Sequence, residues 1–233
     1  MSDGPFHYEQ RRLENDLVIL EPFDPSVHIA PIVEVIKNNP EILTYISLPT
    51  IETEEDFKDF YDRDIRASPE ECLYAIVDKV AVPEEEKSNG RYAGIMSLTV
   101  KNPVNAVIDM GAIIFPAFQH THVATNAIGV LLLYTLDPPS AGGLGLRRVE
   151  WKCHAENVAS RKAALRMGFE LEGIARWERV FPHGKVGLPV DALEKWNGTK
   201  GELPGRHTAI FSIVWDEWEE KRPNVIAQIE RKQ

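Results

Sequence analysis

The segment that most constrains this chain is Ala106–Phe115, AVIDMGAIIF, a run that is almost continuously apolar and carries one charge, Asp109. It is too short to cross a bilayer, and an apolar strand without alternation belongs inside a sheet covered on both faces. The residues that follow fit such a strand. Pro116–His122 reads as a turn, and Thr125–Leu136 sets Ala127, Val130, Leu131 and Tyr134 on one helical face, with further leucines around it. Pro138, Pro139 and the glycines at 142, 143 and 145 end that helix. The expected unit is a central strand, a tight turn and a buried helix.

Elements of both periods flank this unit. Asp16–Leu20 reads as a first strand, and Ser26–Lys37 as a helix with Ile29, Ile32, Val33 and Ile36 on one face and Ser26 as N-cap. Thr53 with Asp56 has the spacing of a capping box and opens a second helix that runs to about Ala67. Leu73–Asp78 and Arg91–Lys101 are β-type runs joined by the polar stretch PEEEKSNG, which reads as a hairpin loop. Arg148–His154 alternates Val149, Trp151 and Cys153 with charged residues, so one of its faces is buried. Asn157–Met167 is a short helix closed by Gly168, and Phe169–Phe181 and Thr208–Trp215 supply the last strands. Helices and strands thus alternate in a mixed α/β fold, and 233 residues suit one domain over 1–233. The stretch 183–206 is an extended loop rich in Gly, Pro and Lys, of a length that is usually functional or mobile.

Composition narrows the classes. A net charge of −10 argues against nucleic acid as a partner and favours cationic or amine-bearing ones. No stretch has the length of a membrane span and the N-terminus lacks an apolar signal region, so the expected address is the cytoplasm, with no membrane partner. Cys72 and Cys153 sit in apolar runs without any metal-ligand spacing, which suggests buried reduced thiols and no metal site. The charged tail IERKQ reads as solvated.

Three places could carry chemistry. The turn PAFQHTHVATNA directs helix N-terminal amides at one point, which suits a pyrophosphate, and Thr121, Ala124 and Thr125 are small enough to let an anion approach. It can equally be an ordinary β–α connection. Asp109 shares a strand face with Val107, Gly111 and Ile113, and Gly111 leaves room beside it. A carboxylate there needs a partner such as Arg148, or a use as a base. Asn157–Ser160 opens a helix directly after a strand, and N-capping alone accounts for both residue types.

Taken together, IDMGAIIFPAFQHTHVATNA, RRVEWKCHAENVASRKAALRMGFELEGIAR and TAIFSIVWDEW resemble, in order and spacing, the GNAT superfamily of N-acetyltransferases in its RimJ/RimL-like branch, from about Leu17 to Trp218. The resemblance implies the GNAT acyl-CoA N-acyltransferase fold, a central mixed sheet flanked by helices, with acetyl-CoA as cosubstrate and no metal. It assigns the backbone of Ile113 and Ile114 to the pantetheine, and the loop Gln119, His120, Thr121, His122, Val123, Ala124 and Thr125 to the pyrophosphate. Asn157 and Ser160 fall on the family's Asn-x-x-Ser motif, which also faces the cofactor, and Asp109 takes the place of the family's general base. His122 replaces the loop's first glycine and could offer its imidazole to a phosphate. Ala164 stands where many relatives carry a tyrosine acid, which leaves Ser160 or a water path for that role.

The implied reaction is direct acetyl transfer to a primary amine in a ternary complex, with a small molecule or a protein N-terminus as acceptor. A non-catalytic coenzyme A-binding or regulatory protein on the same fold is the alternative. A nucleotide-binding oxidoreductase, suggested by Gly142, Gly143 and Gly145, fits poorly, because those glycines precede a strand where a dinucleotide fingerprint must follow one and open a helix. The sequence identifies neither the acceptor nor the oligomeric state.

Overall fold

The computed structural model describes residues 6–80, 90–182, 185, 187–188 and 203–231. Eight strands form one sheet: β1 Leu13–Glu14, β2 Val18–Pro22, β3 Glu71–Asp78, β4 Arg91–Asn102, β5 Val107–Ile114, β6 Arg148–His154, β7 Glu170–Val180 and β8 Gly205–Val214. Among the described residues five α-helices accompany them: α1 Pro25–Asn38, α2 Glu54–Phe60, α3 His122–Leu136, α4 Val158–Arg166 and α5 Trp218–Glu230. The strand order is β1-β2-β3-β4-β5-β6-β8-β7, and every neighbouring pair is antiparallel except β5 with β6.

Several local expectations shift. Asp24, not Ser26, caps α1, accepting from the Ser26 amide at 2.8 Å, because Pro25 occupies the first turn, where its fixed φ and missing N–H suit a helix start. Helix α3 begins three residues earlier than its apolar pattern, because the Thr121 side chain caps it. The capping box at Thr53 and Asp56 forms as expected, but α2 passes at Tyr61–Arg66 into a wider π-helical turn. The proposed hairpin loop falls mostly on residues 81–89, and most of the 183–206 loop on 189–202, outside the described residues. Arg206 itself belongs to β8.

The core lies between the sheet and its helices: α3 is buried almost all round, with α5 packed on its outer side, and α1 and α2 contribute Ile29, Ile32, Val33, Ile36 and Phe57. The charged C-terminal stretch is therefore helical as far as Glu230, with Trp218 and Val225 buried and Ile229 packed against the core. Both cysteines are free and buried. Among the described residues no helix is long and apolar enough to cross a membrane.

Candidate active site

The site follows from an incomplete strand pairing. On its β4 side β5 is paired along its whole length, from Val107 to Ile114. On its β6 side the pairing runs only from Val107↔Arg148 to Met110↔Trp151 and then stops. Burial changes at the same point: Ile108 and Met110 are buried, whereas Gly111–Ile114 are half-buried. The Phe115 amide donates to the Ala93 carbonyl at 2.9 Å, so odd-numbered residues of β5 aim their main-chain groups at β4. Ala112 and Ile114 therefore aim theirs into the gap. Of the two residues assigned to the pantetheine, Ile114 faces the gap and Ile113 faces β4. The Ile114 carbonyl is already taken, accepting from the Gln119 side-chain amide at 3.1 Å.

The mouth of α3 opens at one end of this gap. Thr121 Oγ1 donates to the Phe118 carbonyl at 2.7 Å and accepts from the Val123 amide at 3.3 Å, which holds the turn shut. The helix itself first bonds the Thr125 amide, so those of His122 and Ala124 are left to a ligand or to water. Val123 is fully buried, and His120 is exposed with a φ of 62°. The His122 ring does not stand free: its Nε2 lies 3.0 Å from Asp78 Oδ1, a buried carboxylate at the end of β3.

At the mouth of α4, Asn157 Oδ1 accepts from the Ser160 amide at 3.0 Å. The Ser160 side chain looks inward, where its Oγ accepts from the Trp151 indole Nε1 at 2.9 Å. An oxygen that accepts from an indole must point its own hydrogen elsewhere. Trp151 and Cys153 lie on the α3 side of the sheet, whereas Asp109 lies on the opposite face. The two candidate catalytic groups thus flank the gap from opposite faces.

Asp109 has Thr99 beside it on β4 and Glu150 on β6. Arg148 does not neutralise it, because that guanidinium is engaged by Glu172 at 2.6 and 2.7 Å and by Glu150 at 2.9 Å. Asp109 Oδ1 is buried without a hydrogen-bond partner, and burial pushes the carboxyl up to about 6, against the pull of Lys101 and Lys152. A Cβ on Gly111 would lie 2.8 Å from Ser97 Oγ, so the glycine does keep space open there. Further along this face, His154 stacks on Phe181, with 5.6 Å between centroids, and packs against Tyr45 at 5.1 Å. Among the described residues no group of three His, Cys, Asp or Glu side chains could hold a metal ion.

Sequence reasoning missed Trp151, His154 and Arg206 as parts of this region. Trp151 and His154 lie in a strand whose alternation was legible, but alternation does not say which tip meets a polar partner. Arg206 carried no local signal beyond a glycine-rich approach.

The acetyltransferase (GNAT) domain model matches residues 18–170, and the chain belongs to that family of acyltransferases. A GCN5-related N-acetyltransferase from Brucella melitensis is 27% identical over 94% of this chain and 86% of that one, with a TM-score of 0.72. The microcin C7 self-immunity acetyltransferase MccE, solved with acetyl-CoA and AMP, is 20% identical over 86% of this chain and 93% of its own, with a TM-score of 0.62. RimL, the ribosomal L7/L12 α-N-protein acetyltransferase, solved with coenzyme A, is 16% identical over 88% of this chain and 99% of its own, with a TM-score of 0.63. At these last two identities the likeness is one of fold. No curated protein matches the sequence.

Proposed function

We propose that the chain transfers an acetyl group from acetyl-CoA to a primary amine by direct attack in a ternary complex. The observation that carries this reading is the half-paired edge of β5, which offers main-chain groups of Ala112 and Ile114 to an extended ligand and leads to the free amides of His122 and Ala124. An acyl-pantetheine can complete that edge as a strand would, and its diphosphate can end at the positive pole of α3. Gln119 releases the Ile114 carbonyl when the ligand arrives, and its amide is then free for a phosphate.

Bound acetyl-CoA supplies the activated acyl group, and the residues of the chain position it and move protons. Asp109 takes the proton of the incoming ammonium through its unpaired oxygen, and a carboxyl raised to about 6 holds a proton more readily than an ordinary carboxylate. Ser160, its oxygen held by the Trp151 indole, directs its hydrogen at the departing sulfur. Holding both reactants in one gap removes much of the entropic barrier. The oxygen-rich face around Asp109 suits an amine, and the aromatic wall of Tyr45, His154 and Phe181 borders it.

Two measurements on the full chain test the reading. Calorimetric titration with coenzyme A should show one site per chain, and thiol should be released from acetyl-CoA only when a primary amine is present. Uptake of coenzyme A with no thiol release from any amine would leave a binding protein. The absence of uptake would remove the cofactor site altogether.

A further inference from the structure

Arg206 sits at the start of β8 and is buried, with 6% of its surface exposed. Its Nε is buried without a hydrogen-bond partner, and among the described residues Nη1 reaches only the Tyr45 carbonyl and Ser47 Oγ, both at 3.4 Å. Among the described residues no carboxylate pairs with it. Other arginines of the chain behave differently: Arg148 meets Glu150 and Glu172, and Arg222 meets Asp137 at 2.7 and 2.9 Å. A guanidinium withdrawn from water without an anion is costly, and such a group is retained where a ligand completes it.

The register of the sheet says which ligand could do so. Thr208 lies opposite His154, Ile210 opposite Lys152 and Ser212 opposite Glu150, so Arg206 stands two residues before Thr208 on the face that Asp109 shares. Burial acts most strongly on Arg206, followed by the charges of Arg179 and Glu178, with Asp109 a smaller contribution. The uncommitted edge of the guanidinium, Nε with Nη2, is a two-pronged donor, and its natural complement is a carboxylate bound through both oxygens.

We infer that Arg206 binds a carboxylate of the acceptor, so that the amine acetylated by this chain belongs to a small molecule of amino-acid type that also carries an acid group. The inference rests on the reading of the Asp109 face as the acceptor side. It narrows the acceptor from any primary amine to one whose amine meets Asp109 while its acid meets Arg206.

Thermal-shift titration tests it on the full chain saturated with coenzyme A, using N-acetylated amino acids, the matching carboxamides and inorganic phosphate as probes. The acids should raise the melting temperature of the wild type and bind at least about tenfold more tightly than the amides, the scale of one charge-assisted contact. Arg206→Met should abolish that preference without lowering the melting temperature of the free protein, since it removes an uncompensated charge. Arg206→Lys keeps the charge but not the fork, and should weaken acid binding while still folding. Equal shifts by acids and amides, stabilisation by phosphate alone, no shift by any acid, or an acid preference that survives in both variants would overturn the inference. A fall of several degrees in Arg206→Met without ligand would do the same, because it would show Arg206 to be a tether for residues 45–47. The shift produced by coenzyme A itself separates the two readings. Its absence would sink the cofactor site, and its presence without an acid preference would sink only the role of Arg206.

Discussion

The two faces of the sheet over β5, β6 and β8 differ in what folding explains. On the α3 side, Ile108, Met110, Val149, Trp151, Cys153, Ala209, Phe211 and Ile213 are all buried, and the one polar tip among them, the Trp151 indole, has a partner. On the other side the same strands present Asp109, Glu150, Lys152, His154, Arg206, Thr208 and Ser212. Glu150 and Lys152 neutralise each other at 2.6 Å, Glu150 also lies 2.9 Å from Arg148, and Ser212 donates to Glu172 at 2.8 Å. Asp109 Oδ1 and Arg206 Nε are left over. The first face is accounted for by burial alone. Among the described residues the second keeps two opposite, unpaired charges that a fold selected only for stability would have removed.

The sharpest way to break this contrast is Asp109→Asn, which keeps shape and removes the base. Turnover should fall by roughly 10²- to 10⁴-fold, the span of general-base contributions, while coenzyme A affinity stays within about twofold. The pH dependence has opposite signs for stability and activity. An unfolded aspartate titrates near about 3.9, whereas Asp109 is pushed up to about 6, so the folded chain holds that proton more tightly. Its contribution to stability is full below the unfolded value and is lost as the pH rises through about 6. Activity should rise over the same interval as the base form fills. Wild-type unfolding and turnover measured from pH 4 to 7 should therefore diverge, and Asp109→Asn should remove both trends.

Two neighbours on β8 sharpen the contrast within one strand. Phe211 is fully buried on the α3 side, and Phe211→Ala should cost about 3–5 kcal/mol in urea unfolding. Ser212, the next residue, faces the other way with one hydrogen bond, and Ser212→Ala should cost about 1 kcal/mol or less. Comparable losses would mean that both faces are structural, and the functional reading of the second would lose its footing.

The sequence exposed what depends on neighbours in the chain and hid what depends on the sheet. The β5–turn–α3 unit was legible because burial on all sides writes itself as a long apolar run, and the Thr53–Asp56 box because its bonds span three residues. Helix α5 was not, because WEEKRPNVIAQIE contains a proline and buries only Trp218 and Val225, too thin a stripe to read against so many charges. The pair Asp78–His122 spans 44 positions, and Trp151–Ser160 joins a strand to a helix on its far side, so neither has a sequence signature. Asp109 stood out as a lone charge in an apolar strand, yet that it lacks a partner is a fact of three strands at once. Arg206 was assigned to a loop because the glycine and proline before it masked the start of β8.

The smallest expected effect concerns Asn157, where capping and cofactor contact lead to different outcomes. Its side chain holds the Ser160 amide at 3.0 Å, and α4 is a mostly exposed helix that buries only Ala164. Asn157→Ala should therefore cost about 1 kcal/mol in urea unfolding, as loss of an N-cap usually does. Ser160 keeps a second anchor, because the Trp151 indole donates to its Oγ at 2.9 Å. With that anchor intact the hydroxyl stays at the gap, and turnover at saturating acetyl-CoA should fall by less than about tenfold, the equivalent of 1.4 kcal/mol. A loss as large as that of Asp109→Asn, without any change in stability, would mean that Asn157 acts on the cofactor rather than on the helix. Trp151→Phe in the same assay isolates the remaining anchor, since it keeps the buried ring and deletes only the donor that orients Ser160.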